Sequence, residues 1–251
     1  MIPRCIHQLY WDFKGQDRPL PASWQTLRDD VTRLHPEWTV KLWGKSECGE
    51  AVRGCCTDEQ FALFQQLPEI CKSDIARLCV LLVEGGIYLD MDIHLTSGLD
   101  VLTTKTGVGC VLFAENCVPE RERPLYLGNA AIAAIPRHWF LRSVIDSALM
   151  KMPSVAGQDP TADRVLFFCG PHHLTGMAYD IWPGLAVTDL DGLDGAMVLN
   201  GDAVVLTPEA LLGLGDGHVG FHFGSHACHG SWKRREDRCS DTPAIGHDPE
   251  L

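Results

Sequence analysis

Apolar and polar positions recur along this chain with two different periods. The apolar-rich runs CIHQLYW (5–11) and TVKLW (39–43) have the length and composition of strands, and residues 23–34 between them read as a helix. TDEQFALFQQL (57–67) is predicted as a short helix ended by Pro68. The clearest helix follows. Ile75, Leu78, Cys79, Leu82 and Val83 recur at helical spacing, Ser73 is placed to cap its start, and Gly85-Gly86 stops it because glycine accepts positive φ cheaply. IYLD (87–90) is then a buried strand. Further strands are predicted in GVGCVLFAE (107–115), AMVLN (196–200), AVVLT (203–207) and HVGFHF (218–223), with helices near 138–151 and 171–181. Strands alternating with helices imply an α/β fold, a mostly parallel sheet covered by helices on both faces.

Length adds one constraint: 251 residues bury one good core, so a single domain over 1–232 is expected. Residues 233–251, KRREDRCSDTPAIGHDPEL, are polar, rich in breakers and without apolar period, and read as a loose tail. The composition is that of a soluble globular protein, 45% hydrophobic and 22% charged, with a formal charge of −12. That acidity excludes a nucleic-acid binder, which needs a basic stripe to displace counterions. No run approaches the length of a transmembrane helix, and MIPRCIHQLYW has no signal-peptide architecture, so a cytoplasmic protein is expected. The eleven cysteines read as reduced, mostly buried small apolar side chains, because Cys48, Cys55 and Cys56 match no paired metal-knuckle spacing.

Candidate chemistry centres on GGIYLDMDIH (85–94). Asp90 and Asp92 fall at the carboxyl end of a buried strand, where open α/β sheets bind ligands. With Met91 pointing the other way, both carboxylates face one site. Hard oxygen ligands without thiolates suit Mg²⁺ or Mn²⁺, ions that commonly hold a diphosphate. Asp74 and Arg77, three apart on the preceding helix, share one face, expected to be the polar face opposite the apolar stripe. The glycine turn folds that helix back beside the aspartates.

These residues carry a family resemblance. IPRCIHQLYW, HPEWTVKLW, KSDIARLCVLLVEGGIYLDMDIHL, LGNAAIAA, CGP and HACHGSW occur in the order found in glycosyltransferase family 32, the DXD sugar transferases that include fungal Golgi mannosyltransferases, and the chain is similar also to the catalytic domain of the clostridial glucosylating toxins. The resemblance covers about residues 2–232 and is carried most specifically by SD-x-x-R, a helix, and GG-x-Y-x-D-x-D. It implies a GT-A fold and retaining transfer of a hexose from a nucleoside-diphosphate sugar, with UDP-sugars favoured over GDP-mannose, to a glycan or protein-linked hydroxyl, using Mn²⁺ or Mg²⁺. By the same resemblance Asp92 is a metal ligand and Asp90 touches metal, ribose and donor sugar. Asp74, Arg77 and Tyr88 are donor contacts, Asn129 lies near the reacting sugar, His226 is a further metal ligand, and Ser231 and Trp232 close over the diphosphate. The family's base-stacking tryptophan is replaced by Tyr10, with Trp11 following.

Three other readings compete. His222, His226 and Cys228 have the chemistry of a softer, zinc-like site. The DxD also resembles that of haloacid-dehalogenase phosphatases, with Asp90 as nucleophile and Asp216 in a later acidic loop, although His94 stands where that family has threonine or valine. A nucleotide-sugar-binding protein without turnover is the non-enzymatic alternative. His172 and His173 either reach an acceptor or cap and pack a helix.

Overall fold

The computed structural model describes residues 1–13, 19–104, 107–117, 125–157, 162–182, 196–199, 203–206 and 224–226. In chain order these form β1 (Cys5–Leu9), α1 (Ala22–Leu34), β2 (Thr39–Trp43), α2 (Lys45–Arg53), α3 (Asp58–Gln65), α4 (Glu69–Glu84), β3 (Gly86–Leu89), β4 (Ile93–Leu95), α5 (Asp100–Thr104), β5 (Cys110–Cys117), β6 (Leu125–Ala134), α6 (Trp139–Lys151), α7 (Ala162–Phe168), α8 (Pro171–Ile181), β7 (Ala196–Leu199), β8 (Ala203–Leu206) and β9 (Gly224–His226). The strand predicted at 218–223 and the tail at 233–251 lie outside the described residues.

Seven strands form one sheet in the order β2-β1-β3-β6-β5-β8-β7, and β4 pairs with β9 in a separate ribbon. The α/β class holds, but the sheet is mixed where a mostly parallel one was expected. β1 runs parallel to β2 and β3, and β5 to β8, whereas β6 is antiparallel to both β3 and β5 and β7 is antiparallel to β8. The cause is β6. LYLGNAAIAA reads as neither strand nor helix by period, since small residues fill it, yet it inserts at the sheet centre as the return arm of a hairpin with β5.

Two apolar clusters cover the sheet. One packs α2, α3, α4, α6, α7 and α8 against Leu9, Tyr88, Leu112 and Ile132; the other joins Val31 of α1 and Leu102 of α5 to Ile6, Ile87 and Leu89. Alternation along β3 therefore puts Tyr88 on the α4 side and its neighbours on the other.

α4 begins earlier than its pattern suggested. It starts at Glu69 behind Pro68, and Ser73 lies inside it with its hydroxyl donating to the Ile70 carbonyl at 2.8 Å. Pro68 supplies the fixed φ that enters a helix readily. Ser73 through Leu82 are all buried, while Val83, assigned to the apolar stripe by period, is 50% exposed. α2 was not legible, having only Cys48 and Val52 as buried positions; the Gly44 N–H bonded to the Glu47 carboxylate at 2.8 Å starts it.

The turn from α4 into β3 sets the position of everything that follows. Gly85 (φ 67°) and Gly86 (φ 100°) take conformations that side chains resist. A Cβ on Gly86 would also lie 2.4 Å from the Cys5 carbonyl oxygen. His7, fully buried, bonds the Gly85 carbonyl through Nε2 at 2.8 Å and accepts the Trp43 indole N–H at Nδ1 at 3.0 Å. These partners require the neutral ring with its proton on Nε2, and burial lowers the ring's pKa in agreement.

Gly86→Ala should therefore destabilise the protein by about 2–4 kcal/mol, combining positive-φ strain with the backbone clash. Gly49→Ala, in α2 with nothing within 4 Å of the added carbon, should stabilise by about 0.5–1 kcal/mol. Urea melts of the two variants check the opposite signs.

Candidate active site

The site begins where β3 ends. Asp90 is held to β6 by its N–H, which donates to the Ala130 carbonyl at 2.8 Å, and the Ile93 N–H returns to the Asp90 carbonyl at 3.3 Å. Asp90 to Ile93 thus form a tight turn, where the sequence suggested simple strand alternation. The outcome for the side chains is the same: Met91 is buried and Asp90 and Asp92 are half-buried, at the rim of the sheet.

β6 supplies the opposite wall through a break in register. Its pairing with β5 jumps from Leu112↔Ile132 to Phe113↔Gly128, so Asn129, Ala130 and Ala131 loop out relative to β5. The Asn129 carbonyl accepts from Arg77 Nη1 at 3.0 Å, and its side-chain amide donates to Asp74 Oδ1 at 3.0 Å.

Arg77 joins these parts. Nη1 donates to Asp90 Oδ1 at 2.9 Å, Nη2 pairs with Asp74 Oδ1 at 2.9 Å, Nε reaches the Ser73 carbonyl at 3.4 Å, and the guanidinium lies 4.8 Å from the Tyr88 ring centre. The Tyr88 hydroxyl donates to the same Asp90 Oδ1 at 2.5 Å. The expectation that Asp74 and Arg77 occupy a polar, exposed face is overturned: their side chains are 5% and 6% exposed. The reason is that β6 and the α7–α8 junction cover the face of α4 that an isolated amphipathic helix would leave to water. A surface pair is worth little, but a buried one commits its members, since losing either leaves an uncompensated charge.

Electrostatics follow from this burial. Desolvation pushes the Asp74 carboxyl up to about 6, although Arg77 and the Asn129 amide pull it down. Burial also works against the Arg77 charge, but Asp90, Tyr88 and Asp74 outweigh it and hold the guanidinium protonated, above its ordinary range. Tyr88 stays a neutral phenol, its ionisation driven up first by burial. The Cys169 thiol, in the CGP stretch, lies 3.8 Å from Asp74 Oδ2, a neighbour that sequence alone did not assign.

The remaining expected residues are more scattered. The Tyr10 hydroxyl donates to the Pro19 carbonyl at 3.0 Å, and its ring meets Trp24 edge-on. Trp11 packs against the core with its N–H on Glu69 at 2.8 Å. Its anchor Glu69 also meets Lys45 and Lys72, at 2.9 and 2.8 Å. His226 enters through backbone: β9 pairs antiparallel with β4 and sets His226 opposite Ile93, one residue past Asp92. Ser231, Trp232, His222 and Cys228 lie outside the described residues, as does Asp216.

Whether these groups suit a divalent cation is answered by their chemistry. Among the described residues no cluster of three or more His, Cys, Asp or Glu is preassembled. Two half-buried carboxylates on one turn still fit Mg²⁺ or Mn²⁺, which keep several waters and take further oxygens from phosphates.

The mixed sheet with helices on both faces, bearing a DxD turn at a central strand end, is the architecture of GT-A glycosyltransferases. Among solved structures PaToxG glycosyltransferase superposes with a TM-score of 0.57 at 19% identity, over 73% of this chain and 71% of that one, a likeness of fold. Residues 21–108 match the family described as glycosyltransferase sugar-binding region containing DXD motif. It is 30% identical over 152 residues to inositol phosphoceramide mannosyltransferase 1 of Schizosaccharomyces pombe, covering 57% of this chain and 42% of that protein. Against mannosyl phosphorylinositol ceramide synthase SUR1 of Saccharomyces cerevisiae, identity is 27% over 152 residues, 59% of this chain and 35% of that protein. The chain thus spans less than half the length of either relative. Among the described residues no helix is long and apolar enough to cross a membrane.

Two outcomes test this electrostatic reading. Arg77→Ala should cost about 3–5 kcal/mol of stability, since it strands Asp74 in the interior. The Asp74 carboxyl has a folded value of about 6, above its ordinary 3.8, so its contribution to stability is full below the lower value and is lost as pH rises through the upper. The stability of Asp74→Asn relative to the native chain should accordingly improve between pH 4 and pH 7, about the interval those values span. Movement in the opposite direction in paired urea melts would mean that Arg77 dominates desolvation.

Proposed function

We propose that this chain is a retaining, metal-dependent hexosyltransferase that moves a sugar from a nucleoside-diphosphate donor to a hydroxyl acceptor. The observation that carries the reading is Asp90, a carboxylate 26% exposed whose Oδ1 is fixed from the interior by Arg77 and Tyr88, one tight turn from Asp92. A carboxylate fixed from behind keeps its orientation while its outer side meets a ligand, which is the preorganisation that charge stabilisation needs. In this role Asp90 and Asp92, with His226 set opposite Ile93 by register, would hold the cation. Asp74, Arg77, Tyr88 and Asn129 bound the donor sugar, and Tyr10 or Trp11 meets the base.

A bound Mn²⁺ or Mg²⁺ would supply Lewis-acid stabilisation of the departing diphosphate. The chain's own residues orient the rest. Arg77 keeps its charge beside the developing negative charge, and the Asn129 amide holds Asp74 in place. Retention comes from front-face transfer. The bond from anomeric carbon to phosphate oxygen breaks as that carbon bonds the acceptor oxygen, and the acceptor proton passes to the departing phosphate oxygen. Among the groups around Arg77, Asp74 and Asp90 are both engaged as hydrogen-bond acceptors, which favours this course over a covalent one.

The phosphatase alternative is not favoured. Its nucleophile ends the first strand of a sheet, whereas Asp90 follows the third strand in the chain, beside the antiparallel β6. The mannosyl names of the two yeast relatives place a mannosyl donor beside UDP-sugars as the first to try.

A thermal-shift panel of UDP-sugars and GDP-mannose with and without Mn²⁺ tests the reading. A donor at a hundred times its dissociation constant should add about 2.7 kcal/mol to stability. Asp92→Asn should fold normally, lose the metal-dependent part of that shift and lose transfer. No shift with any donor and metal, or near-normal transfer by Asp92→Asn, would overturn it. Turnover of the bound donor separates an enzyme from a silent binding protein.

A further inference from the structure

Of the two histidines opening α8, His173 is structural. It is buried, with Nε2 on the Val144 carbonyl at 3.1 Å and Nδ1 3.1 Å from Lys151 Nζ. His172 turns elsewhere. Phe167 of α7 stacks on it at 4.5 Å and 15°, and the Tyr126 ring meets it at 5.0 Å and 63°. Phe167 is 64% exposed, an unusual position for a phenylalanine, and its exposed ring continues a column running inward to β6.

The inner end of that column adjoins the donor-side residues. Gly170 lies two residues before His172, and a Cβ there would stand 3.4 Å from Asp74 Oδ2. Tyr126 is three residues before Asn129 on β6, and its register partner on β5 is Asn116, next to Glu115. The Glu115 side chain crosses the face of Gly128: a Cβ on that glycine would fall 2.4 Å from Oε1 and 2.6 Å from Cγ. The glycine of LGNAA thus leaves the space that the Glu115 carboxylate occupies. Burial and the charges of Glu115 and Asp74 keep the Tyr126 phenol protonated, a hydroxyl that donates and accepts.

An aromatic column ending in a carboxylate and a phenol has the two-sided chemistry of a saturated polyol ring. The ring's C–H face meets the negative π-face of an aromatic, and its hydroxyls require acceptors and donors at the rim. We propose that Phe167, His172 and Tyr126, with Glu115 at the inner end, form the acceptor subsite, taking a six-membered polyol ring whose hydroxyls meet Glu115 and Tyr126. The proposal rests on the donor-site reading above, since Asp74 and Asn129 are what make this end the reacting one.

Saturation-transfer-difference NMR with methyl α-D-mannopyranoside and myo-inositol, in the presence of nucleoside diphosphate and Mn²⁺, reads ring contact directly and distinguishes a pyranose from a cyclitol. The native chain should transfer saturation to the ring C–H protons of at least one probe. Phe167→Ala and His172→Ala should each weaken its apparent affinity about three- to tenfold, and Phe167→Tyr should retain it. The thermal shift given by the nucleoside diphosphate should be unchanged in all three variants. No saturation with either probe in the native chain, or undiminished binding in both alanine variants, overturns the subsite. A native chain that binds the polyol but shows no nucleoside-diphosphate shift instead overturns the donor-site reading on which the acceptor role rests.

Discussion

The arrangement of the site depends on one buried guanidinium. Arg77 has a rigid fork of donors and no acceptor, so removing it from water requires oxygen at each nitrogen. Those oxygens come from three parts of the fold: Asp74 and the Ser73 carbonyl on its own helix, Asp90 at the end of β3, and the Asn129 carbonyl on β6. The planar fork fixes their relative positions as a lysine could not. The looped-out segment of β6 follows from the same demand, since a strand in regular register with β5 would keep the Asn129 backbone occupied in the ladder.

A second constraint, the Gly85-Gly86 turn, sets where Arg77 and Asp90 meet. Helix and strand reverse within two residues, with Gly86 pressed against the Cys5 carbonyl and Gly85 held by His7. Nothing with a side chain fits between β1 and this turn. The IHQ and GG motifs, about eighty residues apart, are therefore two halves of one contact. His7 acts at a distance from the chemistry, by fixing the carbonyl that ends α4.

Much of this was readable from residue order, and the failures have physical causes. The place of the DxD at a strand end, the GG stop and the α4 pattern were legible because glycine and periodic apolar positions encode backbone geometry locally. The burial of Asp74 and Arg77 was not, because helical period reports which face is apolar and not what covers the polar one. β6 was missed for the related reason that LGNAAIAA is small rather than alternating, its positions being chosen for close approach at the sheet centre. The parallel bias of the expected sheet failed with it. His226 was assigned by resemblance alone, and its backbone register beside Asp92 comes from a pairing of strands more than a hundred residues apart, which no local pattern encodes. The two histidines of CGPHHL were left undivided by sequence, and their different partners separate them.

Charge connects the fold to the proposed chemistry. Asp74 and Asp90 both pair with Arg77, and Asp92 lies on the same turn as Asp90 at the strand end. A donor diphosphate brings more negative charge to the same place, where partial burial weakens solvent screening. Arg77 cannot answer it alone, because its forks are already engaged by Asp90, Asp74 and Asn129. Held by Asp90 and Asp92, a divalent cation would supply positive charge where the diphosphate arrives. In the proposed transferase the cation and the diphosphate therefore favour each other's binding: the cation would offset the repulsion of diphosphate by the carboxylates, and the diphosphate would add oxygen ligands for the cation. In that reading the fold would supply the carboxylates, Asp90 being held by Arg77 and Tyr88, and the cation would arrive with the donor.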